Sequence, residues 1–204
     1  MRSVSFIVLL LCSSVFHVFA APAPSASEVR PLLEGMSVPD VKVTDTDGSP
    51  FSLKALLMQK PSVVVFYRGG WCPYCSAQLA GLKDIEKPLT KAGYQILAVS
   101  PQSLAQLNEQ KLEETFAARL LSDASLSALN GFGISYYVDA ETAKKYDSYN
   151  IALTNDSSGK PVLPAPAVFI VDKQGVVQFS YVNPDYKVRP SPKLILAAAE
   201  ALVE

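Results

Sequence analysis

The amino-acid sequence predicts an α/β fold, a single domain in which a mixed central β-sheet is flanked by helices. Three observations lead there. Val63-Val64-Val65-Phe66-Tyr67 and Gln-Ile-Leu-Ala-Val-Ser at 95–100 are short, nearly unbroken apolar runs, the pattern of strands covered on both faces. Each is followed by a stretch with helical spacing. Residues 168–172 and 176–182, joined by Lys173-Gln174-Gly175, read as a β-hairpin. Strand–helix–strand–helix, then a hairpin and a last helix, is the order of a layered α/β sandwich.

The remaining elements follow from local chemistry. Residues 41–44 suit a short strand, and Asp47-Gly48 a turn. Ser52 is placed to cap a brief helix through Met58. A long helix is expected from the Cys72-Pro73-Tyr74-Cys75 motif, with Leu79, Leu82, Ile85 and Leu89 on its inner face and Pro88 kinking or ending it. Residues 103–114 read as a helix with Leu104, Leu107 and Lys111-Leu112 inward, 118–121 as a third strand, and 125–132 as a short helix stopped by Gly133. Residues 135–164, with four tyrosines and the turn 155–159, show no clear period. Ser191 followed by Pro192 opens the final helix, a cap residue before proline at the first helical position.

Residues 1–20 have the pattern of a signal peptide: Arg2, then apolar runs at 4–11 and 15–19, then Val18-Phe19-Ala20. A spanning helix needs about 17 to 25 apolar residues, and the interrupting serines and His17 favour cleavage over an anchor. Residues 21–34 begin with Ala-Pro-Ala-Pro-Ser-Ala-Ser and are expected to be a mobile linker or N-terminal extension, with the domain at 35–204. Cleavage would remove Cys12 and His17, the only histidine, and would leave 17 basic against 19 acidic residues, a net −2. That balance gives no basic face for nucleic acid. The expectation is one extracytoplasmic domain, periplasmic or secreted, with two cysteines and no membrane span after cleavage.

Those two cysteines carry the chemistry. With Cys72 as the helix cap and Pro73 as the first helical residue, the N–H groups of Tyr74 and Cys75 would point towards the Cys72 sulfur. The helix dipole is worth ~0.3–1 kcal/mol, under one pKa unit, so any larger depression must come from hydrogen bonds to the thiolate. Cys75, one turn on, would resolve a bond formed at Cys72. An inert disulfide is the competing reading, but so short a loop removes little unfolded-state entropy. Zinc needs four ligands, so no metal is expected there, although copper(I) held by two thiolates fits by ligand type. No cofactor is required.

Phe66-Tyr67-Arg68-Gly69-Gly70-Trp71-Cys72-Pro73-Tyr74-Cys75 resembles the active-site segment of the thioredoxin-like superfamily, and more closely the peroxiredoxin-like branch of the alkyl hydroperoxide reductase/thiol-specific antioxidant (AhpC/TSA) family. Gly35-Met36-Ser37-Val38-Pro39-Asp40-Val41, Leu121-Ser122-Asp123 and Phe169-Ile170-Val171-Asp172 also fit. The resemblance implies a thioredoxin-like fold over 35–204. It implies an antioxidant oxidoreductase that reduces hydroperoxides through Cys72 and Cys75 as a redox-active disulfide, with electrons from a thioredoxin-like or other thiol donor. A disulfide oxidoreductase and a non-catalytic copper(I)- or substrate-binding module are the alternatives. Aligned on Phe66-Tyr67, the family's peroxide-attacking cysteine falls on Cys75 and its threonine on Cys72. Its arginine falls on Pro166, which instead resembles the cis-proline facing a CxxC. Arg68 and Arg189 are the candidates to replace that arginine, with exposed salt bridges as their plainer role. Trp71, Pro73 and Tyr74 complete the expected site, Trp71 shielding the sulfurs.

Overall fold

The valine-rich run before the CxxC motif forms the centre of the molecule. In the computed structural model, which describes residues 21–110 and 118–202, strand β3 (Ser62–Phe66) is buried along its whole length. Alternation along it divides the interior. Val64 and Phe66 enter one apolar cluster with Phe132, Phe169 and Leu57. Val63, Val65 and Tyr67 enter another on the opposite face, with Leu79, Leu82, Leu89 and both cysteines. A strand covered on both sides has no polar face, which is why the run lacks alternation.

The sheet has seven strands. Besides β3 these are β1 (Lys42–Asp45), β2 (Pro50–Ser52), β4 (Gln95–Ser100), β5 (Arg119–Ser122), β8 (Ala167–Val171) and β9 (Val177–Val182). Their order is β2-β1-β5-β4-β3-β8-β9. β3 and β4 run parallel, as do β4 and β5, with helical crossovers between the first pair. β8 lies antiparallel to β3, and β9 to β8. Hence the sheet is mixed, as expected. The Asp47-Gly48 turn joins β1 to β2 with Gly48 at φ 90°.

Helix α1 (Leu53–Leu57) is capped by the Ser52 hydroxyl, which accepts the Ala55 N–H. Helix α2 (Pro73–Lys91) buries Leu79, Leu82, Ile85 and Leu89 as the spacing predicts. Pro88 does not end it, and the helix continues to Lys91. The proline sits in the last turn, where only one intrahelical hydrogen bond is lost, and its carbonyl still accepts the Ala92 N–H at 3.0 Å. Helix α3 (Leu104–Glu109) starts with a reciprocal Ser103–Gln106 capping box. Lys111-Leu112 and the rest of its expected length lie outside the described residues, as do residues 1–20. Helix α4 (Ser127–Gly131) is followed by Gly133 in the left-handed region, and α6 (Pro192–Ala201) is capped by Ser191 and packs on α2.

Two segments differ from the sequence reading. The stretch 135–164 folds into β6 (Ser135–Tyr137), α5 (Ala140–Ser148) and β7 (Val162–Pro164), with β6 and β7 forming a separate antiparallel pair. Residues 21–34, expected as a linker, are tied to it and to the loop before it. Ala23 exchanges backbone bonds with Ser135 and Tyr137, and Arg30 and Leu32 donate to Gly133 and Phe132. Composition flagged a mobile segment because prolines and small residues bury little apolar area, but these bonds are made by the backbone, which composition does not record. No helix among the described residues is long and apolar enough to cross a membrane.

Candidate active site at the Cys72–Cys75 turn

β3 delivers the chain to the site. Tyr67 continues it by donating its N–H to Val99, and Cys72 then closes a turn by donating to the Gly69 carbonyl at 3.1 Å. Cys72 is the N-cap of α2 and Pro73 its first residue. The Cys72 sulfur makes no capping hydrogen bond, contrary to expectation. The Cys75 N–H goes instead to the Cys72 carbonyl oxygen at 2.9 Å, so it acts on the sulfur only as a nearby dipole. Both cysteines are reduced and buried, Cys72 2% and Cys75 0% exposed.

The two thiols are driven apart electrostatically. Cys72 is held down to about 6, first by the hydrogen bond from the Cys75 thiol. Burial opposes this, while the Cys75 amide and the charges of Arg68 and Arg189 add to it. Cys75 is pushed far up, first because its proton is shared with Cys72 and then by burial. Opposed shifts of this kind leave one thiol of the pair easier to ionise than the other.

Among the described residues neither Arg68 nor Arg189 forms a salt bridge. Arg68 is 3% exposed. Its guanidinium carbon lies 5.1 Å from the Trp71 ring, 5.3 Å from Tyr146 and 4.2 Å from Tyr186, and it donates to the Tyr146 hydroxyl. Trp71 and Tyr146 also pack together at 5.2 Å. Half-buried Arg189 is anchored by donating to the Tyr186 and Val188 carbonyls, and its Nη2 is 3.5 Å from Cys75 Sγ.

The other expected site residues are placed as follows. Tyr74 is 40% exposed and meets Tyr186 edge-on. Trp71 is partly buried against the cluster that holds the sulfurs. Pro166 is buried and its carbonyl accepts the Asn183 N–H, but it is not a cis-proline: the peptide bonds of the described residues are all trans, the ordinary preference of an X–Pro bond by about 0.5–1 kcal/mol. Tyr146, Tyr186 and Gln78 were not singled out from sequence. Gln78 is 8% exposed with both side-chain polar atoms unpartnered, one turn beyond Cys75. Polar residues 3 to 114 positions away from a cysteine leave no local signature.

A groove of about 770 Å³ opens beside the motif, lined by Trp71, Ser76, Leu79, Gln102, Gln110 and Ile151 among others. Neither sulfur lines it. Its floor is fixed by side-chain amides, with Gln102 accepting the Gly70 N–H and Gln110 accepting the Tyr67 hydroxyl. Among the described residues no group of three His, Cys, Asp or Glu side chains is placed to hold a metal.

Comparison with known proteins matches this architecture. The chain is 27% identical over 150 residues to chloroplastic peroxiredoxin Q of Oryza sativa subsp. japonica, covering 74% of this chain and 59% of the rice protein. It is 29% identical over 133 residues to peroxiredoxin Bcp of Escherichia coli K12, covering 65% of this chain and 84% of that one. Among solved structures, the peroxidoxin BcpB of Mycobacterium tuberculosis superposes with a TM-score of 0.65 at 20% identity, over 84% of this chain and 98% of that one. Reduced Prx3 of Vibrio vulnificus with hydrogen peroxide gives 0.66 at 18% identity, over 83% and 96%. At these identities the superpositions establish the fold, which is the thioredoxin-like one expected. The AhpC/TSA family model matches residues 35–180, and on that match the chain belongs to the AhpC/TSA family.

Proposed function

We propose that the protein is a thiol-dependent peroxidase that reduces hydroperoxides through Cys72 and Cys75. The observation that carries this reading is the pair of buried, free thiols one helical turn apart at the start of α2, with Nη2 of Arg189 3.5 Å from Cys75 Sγ. Membership of the AhpC/TSA family and the likeness to peroxiredoxins support it.

The chemistry proceeds in two steps. A thiolate attacks the outer oxygen of the hydroperoxide; an S–O bond forms, the O–O bond breaks, and the alkoxide takes a proton to leave as an alcohol. The resulting sulfenic acid condenses with the second thiol, forming the Cys72–Cys75 disulfide and releasing water. A dithiol donor of the thioredoxin class then reduces that disulfide and is itself oxidised. Trp71 and Tyr74 shield the sulfurs, Pro73 starts the helix beneath them, and Pro166 fixes the backbone just before the start of β8. Residues 35–204 form the catalytic domain, and residues 1–20 direct export.

The test is hydrogen peroxide consumption by the purified chain with dithiothreitol as reductant. Turnover in the wild type, lost in the Cys72→Ser, Cys75→Ser double variant, is the expected result. Absence of peroxide turnover alongside active reduction of insulin disulfides would sink the reading. Export is checked separately from the N-terminal mass of the secreted protein, where retention of Met1 contradicts it.

A further inference from the structure

Access to the sulfurs is closed. Cys72 is 2% and Cys75 0% exposed, and neither lines the groove beside the motif. A donor of the thioredoxin class is a protein, and thiol–disulfide exchange requires its sulfur to touch the bond it breaks. Part of the cover must therefore move once the disulfide has formed.

On one side that cover is the segment 183–190, between β9 and α6. Tyr186 meets Tyr74 edge-on and places its ring 4.2 Å from the Arg68 guanidinium carbon, while Arg189 reaches Cys75. The two ends are fixed. The Asn183 N–H donates to the Pro166 carbonyl at 3.2 Å, Pro190 is buried, and Ser191 caps α6.

Between its ends the segment folds on itself. The Asp185 N–H donates to Asn183 Oδ1 at 2.9 Å, Lys187 N–H to Asp185 Oδ1 at 3.0 Å, and Val188 N–H to the Asp185 carbonyl at 3.0 Å. Pro184 and Pro190 have no N–H to give. Arg189 donates to the Tyr186 and Val188 carbonyls, again within the segment. Beyond Asn183, and among the described residues, the hydrogen bond that ties the segment to the rest of the protein is Arg189 Nη2 to Cys75 Sγ, at 3.5 Å.

We propose that residues 184–190 are a redox-gated lid, held down over the motif by Arg189 while the Cys75 sulfur is free, and released when that sulfur enters the disulfide. Forming the S–S bond takes two electrons and two protons from the pair and gives them to the oxidant, the hydroperoxide in turnover. It also draws Cys75 Sγ onto Cys72 Sγ and leaves it uncharged. A half-buried guanidinium that loses its acceptor gains by turning to water. The internal hydrogen bonds of the segment travel with it, so opening breaks no backbone bond to the sheet or to α2. The disulfide is then bared to the donor protein, and reduction restores the tie. The lid rests on the proposed function only in taking the Cys72–Cys75 disulfide as the oxidised state.

The experiment uses the full-length chain freed of reductant, either kept reduced or oxidised with diamide, which accepts the two electrons and two protons without peroxide. Brief digestion with trypsin is read by mass spectrometry at Lys187, within the lid, and at Lys91 and Lys173 elsewhere. Proteolysis follows the population of the open form, so cleavage after Lys187 is expected to be about tenfold faster in the oxidised chain, with Lys91 and Lys173 unchanged. Reduced Cys75→Ala, which takes the sulfur from Arg189, is expected to match the oxidised wild type. Reduced Cys72→Ala, which leaves that contact in place, is expected to match the reduced wild type.

Equal cleavage at Lys187 in the two wild-type states overturns the proposal. So does a Cys75→Ala chain that stays protected, or a Cys72→Ala chain that opens as far. A rise at all three lysines overturns it too, because the loosening would then be general. If Cys75→Ala does not fold, Cys75→Val replaces it with the same expected result. If diamide forms no Cys72–Cys75 disulfide, the proposed function fails, and the alanine pair alone decides whether the lid is tied through Cys75.

Discussion

Arg189 and Cys75 lie 114 residues apart in sequence, yet Nη2 of the arginine is 3.5 Å from the cysteine sulfur. The charge of Arg189 lowers the pKa of Cys75 against the much larger effects of the shared proton and burial. With Cys75 as the resolving thiol of the proposed reaction, its proton must leave before the disulfide closes, so Arg189→Met is expected to slow formation of the Cys72–Cys75 disulfide after peroxide is added, by about tenfold for each pKa unit of lost assistance. Stopped-flow of the reduced chain, with dimedone trapping of the longer-lived sulfenic acid, measures this. An unchanged rate of disulfide formation would remove Arg189 from the resolving step.

Tyr146 couples the α5 segment to the site. Tyr146→Phe keeps the ring against Trp71 and Arg68 but removes the hydroxyl that accepts from the guanidinium. Leaving a buried charged donor unpaired costs about 1–3 kcal/mol. Urea denaturation should record that loss, and amide hydrogen exchange within residues 140–148 should quicken, since α5 has no buried residue of its own to hold it. A variant as stable and as protected as wild type would mean that α5 is docked by other contacts.

Asp123 is fully buried and its carboxylate accepts from the amides of Ala128 and Leu129, fixing the start of α4 to the end of β5. Asp123→Ala strands two buried amides and should cost about 2–4 kcal/mol. Burial, partly offset by these donors and by Ser125 and Ser127, raises its pKa from 3.8 to about 7. An acid with a raised folded-state pKa holds a proton that the unfolded chain has released, so its contribution to stability falls as pH rises between those values. The stability of wild type relative to Asp123→Asn should therefore shrink from pH 3.8 towards about 7. A difference that grew with pH would show that the donors, and not burial, decide its ionisation, and a pH-independent one would show that the two cancel.

Gly133 tests the N-terminal segment. Its φ is +68° and a Cβ there would lie 2.0 Å from the Arg30 carbonyl oxygen, whose own amide donates to the Gly133 carbonyl. Gly133→Ala should destabilise by about 2 kcal/mol or more, combining backbone strain with a clash against backbone. It should also speed proteolysis within residues 21–34. Equal stability in urea and equal resistance to protease would mean that this segment contributes nothing to the fold.

By itself the sequence determined the elements whose instructions are local. The valine-rich strand at 62–66, the helix opened by Cys72-Pro73, the caps at Ser52 and Ser191, and the closing hairpin were all legible, because burial on two faces, side-chain capping and turn chemistry each leave a pattern within a few residues. The CxxC motif was legible for the same reason. Tertiary structure decided what surrounds it. Residues 135–164 form strands too short for a period and a helix with no buried face, and the 21–34 segment is held by backbone bonds that side-chain composition does not encode. The placement of Arg68 among Trp71, Tyr146 and Tyr186, and of Arg189 against Cys75, depends on packing distant segments over one turn. Electrostatic environment is a property of that packing, so the sequence named the two thiols and the fold set them apart.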